Sequence, residues 1–216
     1  MLIIVQGLIG SGKDEVARYL HNHYQFKTMS FADTLKKSIS AIFGWKLQLL
    51  QGKTVKSRIW REQVDEWWSE RLGIPHLTPR WVLQHWGTDV IRNGFHNDIW
   101  LASVENMLRT IDTSKKNIVI NDCRFANETA AMKKQGAILI RVNRGEKPVW
   151  YETAREELFF VNLLGRDAVY ESSMQKNYPD IHISEWGWLL EKPDFEIDNN
   201  GTVDDLHRLI DDILSK

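Results

Sequence analysis

Leu2-Ile-Ile-Val-Gln6 runs straight into Gly7-Leu-Ile-Gly-Ser-Gly12-Lys13-Asp14, and this junction decides the fold. The first five residues form a short apolar, β-branched run closed by glycine, which predicts a buried strand. Gly7 to Lys13 satisfy G-x-x-x-x-G-K, the pattern of a phosphate-binding loop. Glycines let backbone N–H groups turn inward around phosphate oxygens, and a helix starting at the end of the loop adds positive potential there. Lys13 supplies a full charge toward the β- and γ-phosphates of a nucleotide. The helix should run from about Lys13 to His23, with Val16, Ala17 and Leu20 on one face. Asp14 stands where Ser or Thr normally holds Mg²⁺, and a carboxylate also suits a hard cation, directly or through water. The alternative reading is a generic Gly-rich strand-to-helix turn with an acidic first turn.

Outward from that junction, Phe26 to Ser30 reads as a second strand and Asp33 to Phe43 as a helix with Leu35, Ile39 and Ile42 inward. The stretch from Gly44 to Pro79 is charged, Trp-rich and helical in part, punctuated by Gly52, Gly73 and Pro75. Thr78 as N-cap and Pro79 in the first turn open a helix to about Asn93, followed by another from about Asn97 to Ile111. Asn117 to Asn121 is a strand apolar on both faces. Phe125 to Gln135 is a helix ended by Gly136, and Ala137 to Val142 another strand. From Arg144 to about Trp188 the pattern is irregular and polar. Phe195 to Asp198 forms a last strand, Asn199 to Gly201 a turn, and Thr202 to Leu214 a terminal amphipathic helix. Strands separated by helices predict a parallel sheet covered on both faces, in one α/β domain with insertions.

Composition narrows the function. The 216 residues carry 28 Lys plus Arg against 29 Asp plus Glu, a net charge of -1, so coating of nucleic acid is not the expected task. The single Cys123 excludes an internal disulfide and a cysteine-built zinc site, and fits a reducing cytoplasm. No stretch approaches a membrane span, and the start lacks the basic and long apolar segments of a signal peptide. Ten tryptophans are available to fill a core, to stack on a base or to pack a homodimer interface.

Three further clusters offer handles for a second substrate. In Ser30-Phe-Ala-Asp33-Thr-Leu-Lys36-Lys37, Lys36 can meet a phosphate and Asp33 a sugar or base; the alternative is an N-cap at Asp33 with a solvated lysine pair. Arg80, Gln84 and Thr88 fall at i, i+4 and i+8 and would share one helical face, as a phosphate fork plus amide and hydroxyl. An ordinary solvent face is the other reading. Gly87 within that helix is costly unless something approaches closely. Asp122-Cys-Arg124-Phe-Ala-Asn-Glu128 follows an apolar strand, which places Asp122 where an acid near Mg²⁺ belongs and turns Arg124 toward the loop. An N-cap with a surface arginine is the alternative.

The ordered set of Gly-Ser-Gly-Lys13-Asp, Trp-Gly87-Thr-Asp-Val-Ile-Arg-Asn, Asp122-Cys-Arg-Phe-Ala-Asn-Glu and Asp180-Ile-His182-Ile-Ser184-Glu185 resembles the deoxynucleoside monophosphate kinases of T-even bacteriophages. Nearly the whole chain takes part, and that family shares the aspartate after the lysine. The resemblance implies a P-loop kinase with a parallel five-stranded sheet (residues 1–32, 112–143 and 194–216), an acceptor-binding helical insert (33–111) and a lid (144–193). It implies transfer of the γ-phosphoryl group of ATP to a deoxynucleoside monophosphate, with Mg²⁺, in the cytoplasm of a host cell if phage-encoded. On that basis Gly10, Ser11, Gly12, Lys13, Asp14, Glu15, Arg144, Asn200, Gly201 and Thr202 are expected at ATP. Asp33, Lys36, Arg80, Gln84, Gly87, Thr88, Trp100, Asp122 and Arg124 are expected at the acceptor. Asp14 and Asp122 would organise Mg²⁺, and Lys13, Asp122, Arg124 and Arg144 would serve the transfer. Thr202 also reads as a plain N-cap and Trp100 as core packing. The region between Gly44 and Pro79 is shorter than in the phage enzymes, so base specificity is expected to differ. Two rivals remain open: another small-molecule P-loop kinase, of the dephospho-coenzyme A or phosphomevalonate type, and a nucleotide-dependent regulatory module.

Overall fold

The computed structural model describes residues 1–112, 115–164 and 171–215. In chain order the elements are β1 (Leu2–Gln6), α1 (Lys13–Tyr24), β2 (Lys27–Met29), α2 (Ala32–Phe43), α3 (Leu47–Gln51), α4 (Val55–Glu62), α5 (Glu66–Leu72) and α6 (Pro79–Gln84). A π-helical segment (His85–Asn93) continues α6, and then come α7 (Ile99–Leu108), β3 (Ile118–Ile120), α8 (Ala126–Lys134) and β4 (Ile138–Asn143). The remainder is α9 (Tyr151–Leu164), α10 (Ser173–Asn177), a 3-10 turn (Ile183–Glu185), β5 (Phe195–Asp198) and α11 (Val203–Leu214). The chain forms two compact units, Met1–Ser30 with Leu108–Lys216, and Phe31–Met107.

The first unit is built on a sheet of five parallel strands in the order β2-β3-β1-β4-β5. β1 is central, with Ile3 opposite Val119 on one side and Ile138 on the other, and Ile3, Ile4 and Val5 fully buried. Alternation sends Ile3 and Val5 to one face, where they join Val16, Leu20, Leu206 and Ile210 of α1 and α11. Ile4 and Gln6 point to the other, where the Gln6 amide donates to Thr129 of α8 at 2.8 Å. The chain leaves β1 toward β2 and leaves β3 toward β4, so the order reverses between these two neighbours. Their carboxyl ends therefore open the crevice in which such sheets bind ligands.

The second unit is helical. Leu35, Ile39, Phe43, Trp45, Leu50, Leu77 and Val82 form its core, with Trp60, Trp68, Trp86 and Trp100 packed against it. Each ring that must bury an indole N–H finds an acceptor: Trp45 donates to Asp65 (2.8 Å) and Trp68 to the Phe43 carbonyl (3.2 Å). Ile42, expected inward, is half-exposed, and Phe43 takes its place by stacking on Trp45 at 4.5 Å. The inward row is thus 35, 39, 43, one residue off the expected set.

The region after Arg144 departs more from expectation, because α9 is a 14-residue helix where no regular element was foreseen. Its inner residues Ala154 and Leu158 pack with Met174, Trp186, Trp188 and Leu189. Phe159, Phe160, Leu163 and Leu164 are exposed on the outside, which erases the polar-apolar period by which a surface helix is recognised. Buried Glu157 replaces that signal with a tertiary bond, accepting from the Met174 N–H and the Ser172 hydroxyl, both at 2.7 Å. Part of the expected lid, residues 165–170, lies outside the described residues. Among the described residues no helix is long and apolar enough to cross a membrane.

Candidate active site

The phosphate loop owes its shape to three glycines. Gly10 and Gly12 have φ of 81° and 102°, a region that a side chain disfavours. A Cβ at Gly7 would lie 2.5 Å from the Val142 carbonyl oxygen, so the loop presses onto β4 there. The buried Asn199 amide donates to the Ser11 carbonyl at 2.8 Å and braces the loop from the end of β5. Lys13 opens α1, and its Nζ rests on the Leu8 carbonyl at 3.3 Å. Burial pulls its pKa down; Arg124 adds to this, while Asp14, Glu185 and Asp122 oppose it. An ammonium held in that way gains a great deal from an incoming polyanion.

Lys13 lines a cleft with Gly7, Asn121, Asp122, Arg124 and Glu185, and Val5 and Gln6 of β1 also line it. The residues after β3 supply opposite charges in sequence. Asp122 accepts from the Ser30 hydroxyl, and Asn121 donates to Asp14 Oδ1 at 2.7 Å. Arg124 places Nη1 2.9 Å from Glu185 Oε1, within reach of the Ser184 carbonyl (3.4 Å) and hydroxyl (3.5 Å). Burial works against its charge, but Glu185, Asp122 and Glu128 outweigh burial and raise its pKa. Buried Glu128 accepts the Arg124 backbone N–H at 2.9 Å and fixes this turn. Cys123 is buried beside Thr129 and burial raises its thiol well above the ordinary range, so it is an inert wall.

Neither Asp33 nor Asp122 is the N-cap that the alternative readings made of it. Phe125, not Asp122, is the N-cap of α8, and Phe31, not Asp33, that of α2. Mg²⁺ suits the donors present: Asp14 and Asp122 flank the same loop, and this cation typically takes one or two carboxylates, phosphate oxygens and retained waters. Among the described residues no group of three or more His, Cys, Asp or Glu could hold a metal.

Other expected residues sit apart from this cleft. Glu15 turns to His207 Nε2 at 2.9 Å and to Arg18. Arg144 is exposed just beyond β4. Asn200 accepts from the Gly145 N–H at 2.8 Å and donates to Asp198 at 2.6 Å, while Thr202 is the N-cap of α11, in a capping box with Asp205. Gly201 stands beside the Asp205 carboxylate, which a Cβ would approach to 2.7 Å.

In the helical unit, Asp33 and Lys36 lie on α2, Arg80 and Gln84 on α6, and Gly87 and Thr88 in the π segment. The expected stripe of Arg80, Gln84 and Thr88 fails at its last member. The helix widens to i+5 bonding at His85, each residue turns less about the axis, and Thr88 is carried inward and buried. Gly87 is explained by packing: a Cβ there would lie 2.7 Å from Leu35 Cδ2, and its carbonyl accepts the Trp100 indole N–H at 2.7 Å. Asn121, Asn199, Ser184 and the pairing role of Glu185 were not foreseen. Asn121 neighbours a singled-out acid and was within reach of sequence reasoning; the brace of Asn199 and the pairing of Glu185 with Arg124 are brought in only by the fold.

The deoxynucleotide monophosphate kinase family matches residues 51–155. A protein of Acanthamoeba polyphaga mimivirus that bears that family's name is 33% identical over 155 residues, covering 67% of this chain and 74% of its own. Among solved structures, dephospho-CoA kinase from Campylobacter jejuni is 15% identical over 99% of this chain and 95% of its own, with a TM-score of 0.46. Shikimate kinase from Aquifex aeolicus is 13% identical over 100% and 96%, with a TM-score of 0.39. With its phosphate loop, the acid and arginine after β3 and this relative, the chain belongs to the deoxynucleotide monophosphate kinase family.

Proposed function

We propose that this protein transfers the γ-phosphoryl group of ATP to a deoxynucleoside monophosphate, giving the diphosphate and ADP. Membership of the family makes it a nucleotide kinase, a phosphotransferase. The observation that carries the finer reading is the convergence of Lys13, Asp122 and Arg124 on one cleft at the switch point of the sheet.

The acceptor oxygen belongs to a phosphate that is largely ionised at neutral pH, since its second pKa is about 6. It needs little help from a base. Catalysis is then positioning plus neutralisation of charge on the transferred group. The N–H groups of Gly10, Ser11 and Gly12 hold the ATP phosphates, and Lys13 draws on the charge that burial made costly. Arg124 meets the transferred group. Asp14 and Asp122 would hold Mg²⁺, which when bound offsets charge on the phosphates. Asp33, Lys36, Arg80, Gln84 and Trp100 are the acceptor residues in this reading, with Arg80 as the phosphate fork.

The test is phosphorylation of dGMP, dTMP, dCMP, dAMP and 5-hydroxymethyl-dCMP by ATP with Mg²⁺, read as diphosphate by chromatography. A diphosphate from at least one is expected. ATP binding without any diphosphate would sink the reaction and favour the dephospho-coenzyme A or phosphomevalonate type.

A further inference from the structure

Arg124 is held by one edge only. Among the described residues, Nη1 makes every side-chain hydrogen bond that the guanidinium forms, to Glu185 Oε1 (2.9 Å) and, more weakly, to both oxygens of Ser184. Nε and Nη2 form none with the described residues and neither is a fully buried atom without a partner, in a side chain that is 35% exposed and lines the cleft. A guanidinium offers its donors in a rigid planar fork, so clamping one nitrogen fixes the direction of the rest.

The clamp is itself anchored. Glu185 ends a 3-10 turn capped by His182, whose Nδ1 receives the Ser184 N–H at 3.2 Å. Gly187 lets the chain pass so close that a Cβ would lie 3.1 Å from the Arg124 carbonyl oxygen. Trp186 and Trp188, both buried, fasten the same turn, with the Trp188 indole donating to the Glu185 carbonyl at 3.1 Å. The Glu185 side chain is 14% exposed, against 35% for Arg124. Of the pair, the acid is the fixed member and the arginine the presented one.

We propose that Glu185 is a positioning residue that aims the free Nε–Nη2 edge of Arg124 at the phosphoryl group and keeps it from turning onto Asp122. This rests on the transfer reaction proposed above. Glu185 touches no substrate; it acts through Arg124.

The test is a double-mutant cycle on phosphoryl transfer by the full chain. Glu185→Ala should lower kcat about 10- to 100-fold, the scale of a misaimed catalytic group, with the ATP KM changed less than about 3-fold. Glu185→Gln, which still offers an oxygen to Nη1, should recover most of that loss and covers the case in which the alanine variant fails to fold. Arg124→Ala/Glu185→Ala should be no slower than Arg124→Ala alone. An unchanged rate in Glu185→Ala, or a double variant slower by the full Glu185→Ala factor, overturns the proposal. A second readout is independent of turnover. The ¹⁵N resonances of the two Arg124 Nη groups, assigned by their loss in Arg124→Lys, should be separate in the wild type and merge in Glu185→Ala; no change overturns the proposal. A wild type that phosphorylates no deoxynucleoside monophosphate defeats the proposed reaction, and these resonances then decide the role of Glu185 alone.

Discussion

The phosphate loop and the π-helical segment both present backbone at a glycine, yet they are made by different means. At Gly12 the glycine is required by its own φ of 102°, a local conformation that no neighbour could relieve. At Gly87 the backbone is helical, and what excludes a side chain is Leu35, 52 positions earlier in the chain. The first is conformational chemistry written in adjacent residues; the second is packing. The two therefore differ in how they should respond to change.

The largest effect should come from the charge at the end of the loop. Lys13→Ala is expected to lower kcat by about 10²–10³-fold, the scale of losing one preorganised electrostatic partner. Because burial disfavours the Lys13 charge, the same variant should melt no lower than the wild type without nucleotide. Thermal melts and steady-state kinetics on one preparation check both halves. On the helical side, Arg80→Ala should raise the acceptor KM by roughly 10- to 100-fold, as for a lost charge-assisted bond, and leave the ATP KM nearly unchanged. Equal rises in both would remove Arg80 from the acceptor.

The glycines test the contrast directly. Gly12→Ala should cost about 1–3 kcal/mol in backbone strain, with the Asn199 amide also displaced, and weaken ATP binding. Gly87→Ala meets only the flexible end of Leu35 and gains about 1 kcal/mol of helix propensity, so its net cost should be smaller. Chemical denaturation of the two variants ranks them; a reversed order would break the comparison.

The smallest effect concerns Glu15 in the first turn of α1. Burial raises the Glu15 carboxyl, but bonds from His207 and Arg18 outweigh this and hold it below its ordinary value of 4.5. A depressed carboxylate contributes stability above its unfolded pKa and loses it as pH falls through the folded one. Glu15→Gln should therefore melt slightly lower than the wild type near neutrality, and the gap should close as pH drops below 4.5. A gap that is constant from pH 3 to 7 would mean that the Glu15 charge plays no part.

Most strand boundaries were legible because buried parallel strands are short apolar runs: Leu2 to Gln6 and Phe195 to Asp198 stand where expected. α9 was not, because its exposed phenylalanines and leucines hide the period and its buried Glu157 reads as surface. Within the site, Lys13 and Asp14 were legible from loop chemistry, and Asp122 and Arg124 from their place after a strand. Whether Asp122 was a cap, and what Glu185 did, were not.

Sequence by itself determined the phosphate loop, the alternation of strands and helices, and hence a parallel sheet with its crevice after β1 and β3, because these follow from torsion angles and periodicity among neighbours. Tertiary structure alone decided the clamp of Glu185 on Arg124, the brace of Asn199 on the loop, and the inward turn of Thr88. Each joins residues 61 and 188 positions apart, or changes a helical period, and only the packed chain brings such partners together.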